Sequence, residues 1–221
     1  EAIRALRLGL RYGDGSLQHS VVMVTSCLPG EGKSTTAVNL AQYAASTGER
    51  VLLIDGDLRH PVLTKQCAPD VELGLVDVLA GRGKLADISL RDGRSGLFFL
   101  PAIGKKAPPQ TAELLGSSAM KDVISRLRPD FDLVVIDSSP MLPVVDTRML
   151  AEHVDEVVVV VEWEKTSRDA LRSAFRKIPE IHRKVAGLAL NNVDLKDLRN
   201  YAYYDSDAYL RNNPAYQQLA G

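Results

Sequence analysis

Val21-Val22-Met23-Val24-Thr25 runs straight into Ser26-Cys27-Leu28-Pro29-Gly30-Glu31-Gly32-Lys33-Ser34-Thr35, and from Ser34 to Ser46 the chain takes up a helical pattern. A β-branched run, a glycine loop and a helix start, in that order, make the context that a phosphate-binding loop requires. The residue types follow from the chemistry. Gly30 and Gly32 let the backbone bend until successive N–H groups converge on phosphate oxygens, at a helix start whose dipole favours negative charge. Lys33 is placed to reach the outer phosphates of a nucleotide, and the Ser34 hydroxyl to ligate Mg2+. Pro29, Gly30, Glu31, Gly32, Lys33, Ser34 and Thr35 are therefore the candidate nucleotide-binding residues. Cys27 stands where the usual pattern has its first glycine, either as a small side chain or as a thiol open to oxidation.

Two further apolar runs end in carboxylates. Val51-Leu52-Leu53-Ile54 leads into Asp55-Gly56-Asp57-Leu58-Arg59, and Leu133-Val134-Val135-Ile136 into Asp137-Ser138-Ser139-Pro140, as a Walker B motif does. Strand ends of this kind lie on the sheet edge where ligands bind, so three carboxylates are expected to converge beside the loop. Aspartates packed so closely repel one another, and a divalent cation, nucleotide phosphates and Lys33 would relieve the repulsion. Other apolar runs are Leu97 to Leu100, Val157 to Val161 and Val185 to Leu190; all suit strands buried on both faces. Helical patterns at about 112–127, 146–152 and 167–178 alternate with them. The expected fold is α/β: a P-loop NTPase-type, mostly parallel β-sheet flanked by helices on both faces. Gly81 to Gly96 and Gly104 to Gln110, rich in Gly, Pro, Lys and Arg, read as mobile surface loops.

The chain has 221 residues, 45% of them hydrophobic, enough for one respectable core with short appendages. A net charge of -1 offers no overall basic field, and no nucleic-acid partner is expected. Cys27 and Cys67 suggest neither a disulfide framework nor a zinc site, and the chain reads as cytosolic. No apolar run approaches the ~20 residues of a spanning helix, and no signal peptide is expected. The chain starts at Glu1 without a methionine, so it is expected to be a piece of a longer protein or a processed one.

The two ends stand apart from this rhythm. Residues 1–12 place Ile3, Leu6 and Leu10 on one helical face and Arg4, Arg7 and Arg11 on another. At the other end, five of the seven tyrosines, Tyr201, Tyr203, Tyr204, Tyr209 and Tyr216, fall in the last 21 residues, a polar setting that packing does not explain. A globular domain over 1–198 and a flexible tyrosine cluster over 199–221 are the expected divisions.

On Pro-Gly-Glu-Gly-Lys-Ser at 29–34, Asp55-x-Asp57-x-Arg59, Asp137-x-x-Pro140 and the terminal tyrosines, nearly the whole chain resembles the catalytic domain of bacterial tyrosine kinases (BY-kinases). These belong to the polysaccharide co-polymerase, or capsular exopolysaccharide, family. They commonly lack the loop's first glycine, so Cys27 agrees with the match. The resemblance implies an ATP- and Mg2+-dependent autokinase whose phosphoacceptors are Tyr201, Tyr203, Tyr204, Tyr209 and Tyr216. It further implies transfer between subunits of a ring-like homo-oligomer that dissociates on phosphorylation, and a role in surface polysaccharide synthesis and export. A membrane co-polymerase domain, fused upstream or separate, a cognate tyrosine phosphatase and a place at the inner face of the plasma membrane come with it. Glu1-x-x-Arg4-x-x-Arg7 is similar to the family's oligomerisation motif; a solvated helix face and attraction to anionic lipid are the other readings.

The expected division of labour has Ser34 ligating Mg2+ directly while Asp57 and Asp137 hold it through water. Asp55 is expected to orient the tyrosine hydroxyl, with its deprotonation by Asp55 and an exchange of roles between Asp55 and Asp57 both left open. Arg59 either stabilises developing charge or organises the loop beneath the phosphates. Asn191 either reads the nucleotide base or caps a turn. The rival readings are a regulatory ATPase of the chromosome-partitioning and cell-division type, and a nucleotide-gated assembly module without catalysis. The first needs a lysine where this chain has Leu28, which cannot donate to phosphate.

Overall fold

The computed structural model describes residues 1–12, 20–103 and 110–194. The five tail tyrosines and residues 104–109 lie outside the described residues. The elements belong to a compact unit, Glu1–Asn191, and a second unit takes in Asn192–Gly221. The described strands are β1 (Ser20–Ser26), β2 (Val51–Asp55), β3 (Leu90–Arg91), β4 (Phe98–Leu100), β5 (Leu133–Asp137), β6 (Glu156–Glu162) and β7 (Val185–Asn191). They form one sheet in the order β3-β4-β2-β5-β1-β6-β7, parallel throughout except for the antiparallel β3–β4 pair. This is the expected P-loop NTPase-type sheet. The described helices are α1 (Ala2–Tyr12), α2 (Lys33–Ser46), α3 (Val62–Cys67), α4 (Leu75–Leu79), α5 (Leu85–Ile88), α6 (Thr111–Leu115), α7 (Ser118–Leu127), α8 (Asp146–Ala151) and α9 (Arg168–Lys177).

Because side chains alternate across a strand, each central strand feeds two cores. Val21, Met23, Leu52, Ile54, Val134, Ile136, Val157 and Val159 point to one face, covered by Leu75 of α4, Met120 and Ile124 of α7 and Leu150 of α8. Val22, Val24, Val51, Leu53, Leu133, Val135, Val158 and Val160 point to the other, covered by Leu10 of α1, Leu40 and Ala41 of α2 and Leu63 of α3. The continuous apolar runs of the sequence are the mark of this double burial.

Four expectations change. The helical pattern over 112–127 is two helices, because the Ser117 side chain accepts from the Met120 N–H (3.3 Å) and starts α7 afresh. The segment 81–96, read as a loop, carries α5 and the short strand β3 at the sheet margin. At the opposite margin β7 is not buried on both faces: Leu188 and Leu190 are 50% and 57% exposed. Its register against β6 jumps from Val157↔Val185 to Val158↔Gly187, a bulge that reverses the facing of every later residue.

The fourth concerns Arg7. Leu6 and Leu10 of α1 do pack into the core, but Arg7 stands only about 40° around the helix from Ile3 at 100° per residue and is drawn in with them. It is buried, and its guanidinium pairs in two-pronged fashion with the Glu49 carboxylate beyond α2. Arg4 remains exposed, with Glu1 at 3.7 Å. Arg7→Ala is therefore expected to lower the unfolding free energy by about 3 kcal/mol, since it strands a half-enclosed carboxylate. Arg4→Ala is expected to change it by at most a few tenths. Urea denaturation of the two variants separates these outcomes.

Candidate active site

The register of the sheet assembles the site. Asp55 pairs with Asp137 across β2 and β5, and Val24 pairs with Asp137 across β1 and β5, so the ends of three adjacent strands meet. The loop after β1 has Gly30 at φ +87° and Gly32 at φ +92°, a conformation that side-chain-bearing residues rarely adopt. It turns directly into α2, whose first residue is Lys33. Pro29, Gly30, Gly32, Lys33, Ser34 and Thr35 line a cavity of about 400 Å³. Asp57, Arg59, His60, Val62, Ser139, Pro140, Pro143 and Val144 complete its wall.

Lys33 is the electrostatic centre. Its Nζ lies 3.1 Å from Asp57 Oδ2, 3.3 and 3.4 Å from the two oxygens of Asp137, and 3.2 Å from Ser34 Oγ. Ser34 Oγ in turn donates to Asp137 Oδ2 at 2.5 Å. Burial works against the ammonium, but Asp137 and Asp57 outweigh it and hold Lys33 above its ordinary value. Burial dominates at Asp137, pushing its carboxyl up to about 7 despite Lys33 and the Ser34 hydrogen bond, and the charge of Asp55 adds to the rise. One ammonium thus serves two enclosed carboxylates. A donor set of two carboxylates and a hydroxyl around a cation is one that Mg2+ accepts, provided phosphate and water supply the remaining oxygens.

The three carboxylates do not converge as the sequence suggested, and among the described residues no three acidic, His or Cys side chains form a metal-binding group. Asp55 is fully enclosed and turned to α3. Its Oδ2 accepts from the Thr64 N–H (2.8 Å) and hydroxyl (2.7 Å), and its Oδ1 from the Asp57 N–H (3.3 Å). Burial raises its carboxyl to about 6 against the pull of these donors. Thr64 Oγ1 also accepts from the Ala102 N–H at 2.8 Å. Thr64→Val, which removes one donor and orphans another, is expected to cost about 3 kcal/mol of stability in urea titrations.

The other candidates take clear positions. Arg59 reaches Asp146 at the start of α8 with two bonds of 3.0 Å, which tie the segment after β2 to α8 while Arg59 lines the cavity. The Glu31 side chain is buried away from the cavity, accepting from the Leu28 N–H (2.8 Å) and the Thr166 hydroxyl, so it shapes the loop. Asn191 Nδ2 donates to the Glu31 carbonyl at 3.0 Å, binding the end of β7 to the loop. Cys27 is wholly buried, and burial together with the Glu31 charge pushes its thiol up to about 12, so it stays protonated and packs as a small side chain. Thr64, Ser139, Asp146 and Thr166 were not singled out in the sequence. Ser139, whose hydroxyl donates to Asp57 Oδ1 at 2.8 Å, lay within the quoted Asp137 motif.

A left-handed glycine loop at a helix start, with a lysine held between Asp57, just past β2, and Asp137, the last residue of β5, defines a P-loop nucleotide-binding protein. A family model described as an AAA domain (AAA_31) matches residues 20–192. The chain is 33% identical to the tyrosine-protein kinase YwqD of Bacillus subtilis (strain 168), over 92% of this chain and 85% of that protein. It is 39% identical to the succinoglycan biosynthesis transport protein ExoP of Rhizobium meliloti (strain 1021), over 93% of this chain but 26% of that protein. Among solved structures, the VpsO kinase domain superposes with a TM-score of 0.78 at 34% identity, covering 87% of this chain and 94% of the other. The fold, at 22% identity and a TM-score of 0.67, extends to a cobyrinic acid a,c-diamide synthase from Mycobacterium smegmatis with bound ADP and magnesium, over 84% and 82% of the two chains. The chain belongs to the AAA_31 AAA domain family and, within it, to the bacterial protein-tyrosine kinases. It spans about a quarter of the length of relatives such as ExoP.

Proposed function

We propose that this chain is the ATP- and Mg2+-dependent autokinase part of a surface-polysaccharide co-polymerase system, transferring phosphate to Tyr201, Tyr203, Tyr204, Tyr209 and Tyr216 of a neighbouring subunit. The observation that carries the reading is the Lys33 ammonium held between Asp57 and Asp137 at the mouth of the glycine loop. Backbone N–H groups from 29–35 would bind the β- and γ-phosphates, with Lys33 turning from the carboxylates to the phosphates. Ser34 and Asp137 would hold Mg2+, which when bound supplies charge neutralisation for the transferring phosphoryl group. Since Asp55 is enclosed and Asp57 lines the cavity, the geometry favours the exchanged roles. Asp57 would align the tyrosine hydroxyl and take its proton as the phenolic oxygen bonds to the γ-phosphorus and the bond from that phosphorus to the β,γ-bridging oxygen breaks, ADP leaving, while Asp55 fixes the backbone of Asp57.

Each phosphate adds about -1.5 to -2 charge, so several on one tail would repel and loosen a ring of subunits, a change that a cognate phosphatase would reverse. Exposed Glu1 and Arg4 are the proposed subunit contact, with Arg7 supporting α1 from within. No described helix is long and apolar enough to cross a membrane, so attachment to the inner face of the plasma membrane would come through a co-polymerase domain, fused or separate. The regulatory-ATPase reading is weakened by Leu28, an apolar side chain with no group to offer a partner's phosphates. Incubation with Mg-ATP followed by phosphotyrosine mapping by mass spectrometry tests the proposal: labelling within 199–221 is expected, and ATP turnover without it would overturn the autokinase reading.

A further inference from the structure

A second cavity, of about 450 Å³, adjoins the nucleotide cavity and shares Arg59, Pro143 and Val144 with it. Its wall combines an apolar surface, with half-buried Leu142 and the 60%-exposed Val145, and the cations Arg59, Arg148 and Lys177. No carboxylate lines it among the described residues. Arg59 is engaged by Asp146 from below. Arg148 pairs with Glu180, an ion pair in which both side chains are nearly half exposed and therefore weakly held. Lys177 Nζ donates to the Leu142 carbonyl at 2.9 Å, a neutral partner. Among the described residues three cations and two partner carboxylates, Asp146 and Glu180, leave the apolar surface with a surplus of one positive charge, immediately beside the place where a phosphoryl group would be transferred.

We propose that this groove docks the acidic tyrosine segment 201–210 of a second copy of the chain, with Arg148 and Lys177 reading its aspartates. The inference rests on the autokinase reading above. The segment Tyr201-Ala202-Tyr203-Tyr204-Asp205-Ser206-Asp207-Ala208-Tyr209-Leu210 contains two aspartates and no lysine or arginine. An extended chain advances about 3.3 Å per residue, so with Tyr204 at the nucleotide cavity Asp207 falls ~10 Å further on, in the adjoining groove. Neighbouring tyrosines would lay their rings on the Leu142, Pro143 and Val145 surface while their hydroxyls stay in water. Charge selects the segment and the apolar wall holds it, so the aspartates among the tyrosines become part of the recognition sequence.

The test uses the full chain with its five tail tyrosines replaced by phenylalanine, and a free peptide of residues 201–210 as the acceptor. Arg148→Gln combined with Lys177→Gln is expected to raise the peptide KM about tenfold, with kcat and the KM for ATP unchanged. A peptide carrying Asp205→Asn and Asp207→Asn should lose the same factor against the unaltered groove and nothing more against the altered one. Glu180→Gln, which frees Arg148, should lower the peptide KM. A peptide KM indifferent to the groove changes, or aspartate and groove effects that simply multiply, would overturn the docking site while leaving the kinase intact. Failure of the unaltered groove to phosphorylate the peptide at all would overturn the tail as acceptor.

Discussion

Lys33→Met is expected to abolish ATP-dependent tyrosine labelling, with a fall of at least about a hundredfold in rate, and to destabilise the domain in a pH-dependent manner. The ammonium lies within 3.4 Å of both Asp57 and Asp137, which are 2% and 0% exposed. Methionine keeps the length and the packing but leaves two enclosed carboxylates without a counter-charge, a loss of about 3 kcal/mol when both are ionised. The direction with pH follows from Asp137, whose carboxyl already titrates near 7 in the folded chain against an ordinary 3.8. The folded chain therefore binds the extra proton over that window. The group's contribution to stability is fully present below pH 4 and disappears as pH rises through 7. Without Lys33 the folded value moves higher still. In urea titrations with EDTA and no nucleotide, the deficit of the variant should be largest at pH 8 and clearly smaller at pH 6. An equal deficit at both would mean that the aspartates are not the source of the cost. Residual phosphotyrosine near the unaltered level would remove Lys33 from the phosphate site altogether.

The difference between Lys33 and Asp55 shows what a sequence can and cannot reveal about such a site. Strand ends announce themselves: Val21 to Val24, Val51 to Ile54 and Leu133 to Ile136 are apolar on both faces because helices cover both, and the residue after each run lands at the ligand edge. That logic locates Lys33, Asp57 and Asp137 together, and it also places Asp55 at the same edge. It does not give side-chain direction. Asp55 turns away because Thr64, on a six-residue helix with too little periodicity to be noticed, offers it a hydroxyl and an N–H. Arg7 obeys the same limit: three residues from Arg4, it shares a helical surface with it, yet only Arg7 lies near enough to the apolar stripe to be drawn onto Glu49. Glu31, a polar residue in a motif, braces the loop from within, and Arg59 is tied to α8, through partners, Thr166 and Asp146, that lie more than eighty residues away in the chain. Local periodicity carries no information about such distant partners.

Gly32→Ala is expected to reduce Mg-ATP affinity and kinase rate by about a hundredfold or more, for two separable reasons. Gly32 has φ +92°, which an alanine adopts only with strain, and a Cβ built there would lie 1.9 Å from Asn191 Nδ2 and 3.1 Å from Asn191 Cγ. Neither atom is a loose side-chain end, since Nδ2 is bonded to the Glu31 carbonyl at 3.0 Å. The loop and the strand end must therefore separate, moving the N–H groups proposed to bind the phosphates. Asn191 occupies this position because of the β7 bulge: after the jump at Val157/Val158, Gly187, Ala189 and Asn191 share the face of Val158, Val160 and Glu162. An unbroken register would have turned Asn191 to the opposite face. Combining Gly32→Ala with Asn191→Gly removes the clash and keeps the backbone strain, so fluorescent-nucleotide titration should recover part of the affinity and no more. Full recovery would make the collision the whole cause, no recovery would leave strain alone, and Asn191→Gly by itself should weaken binding only a few-fold, the worth of one hydrogen bond that holds the loop.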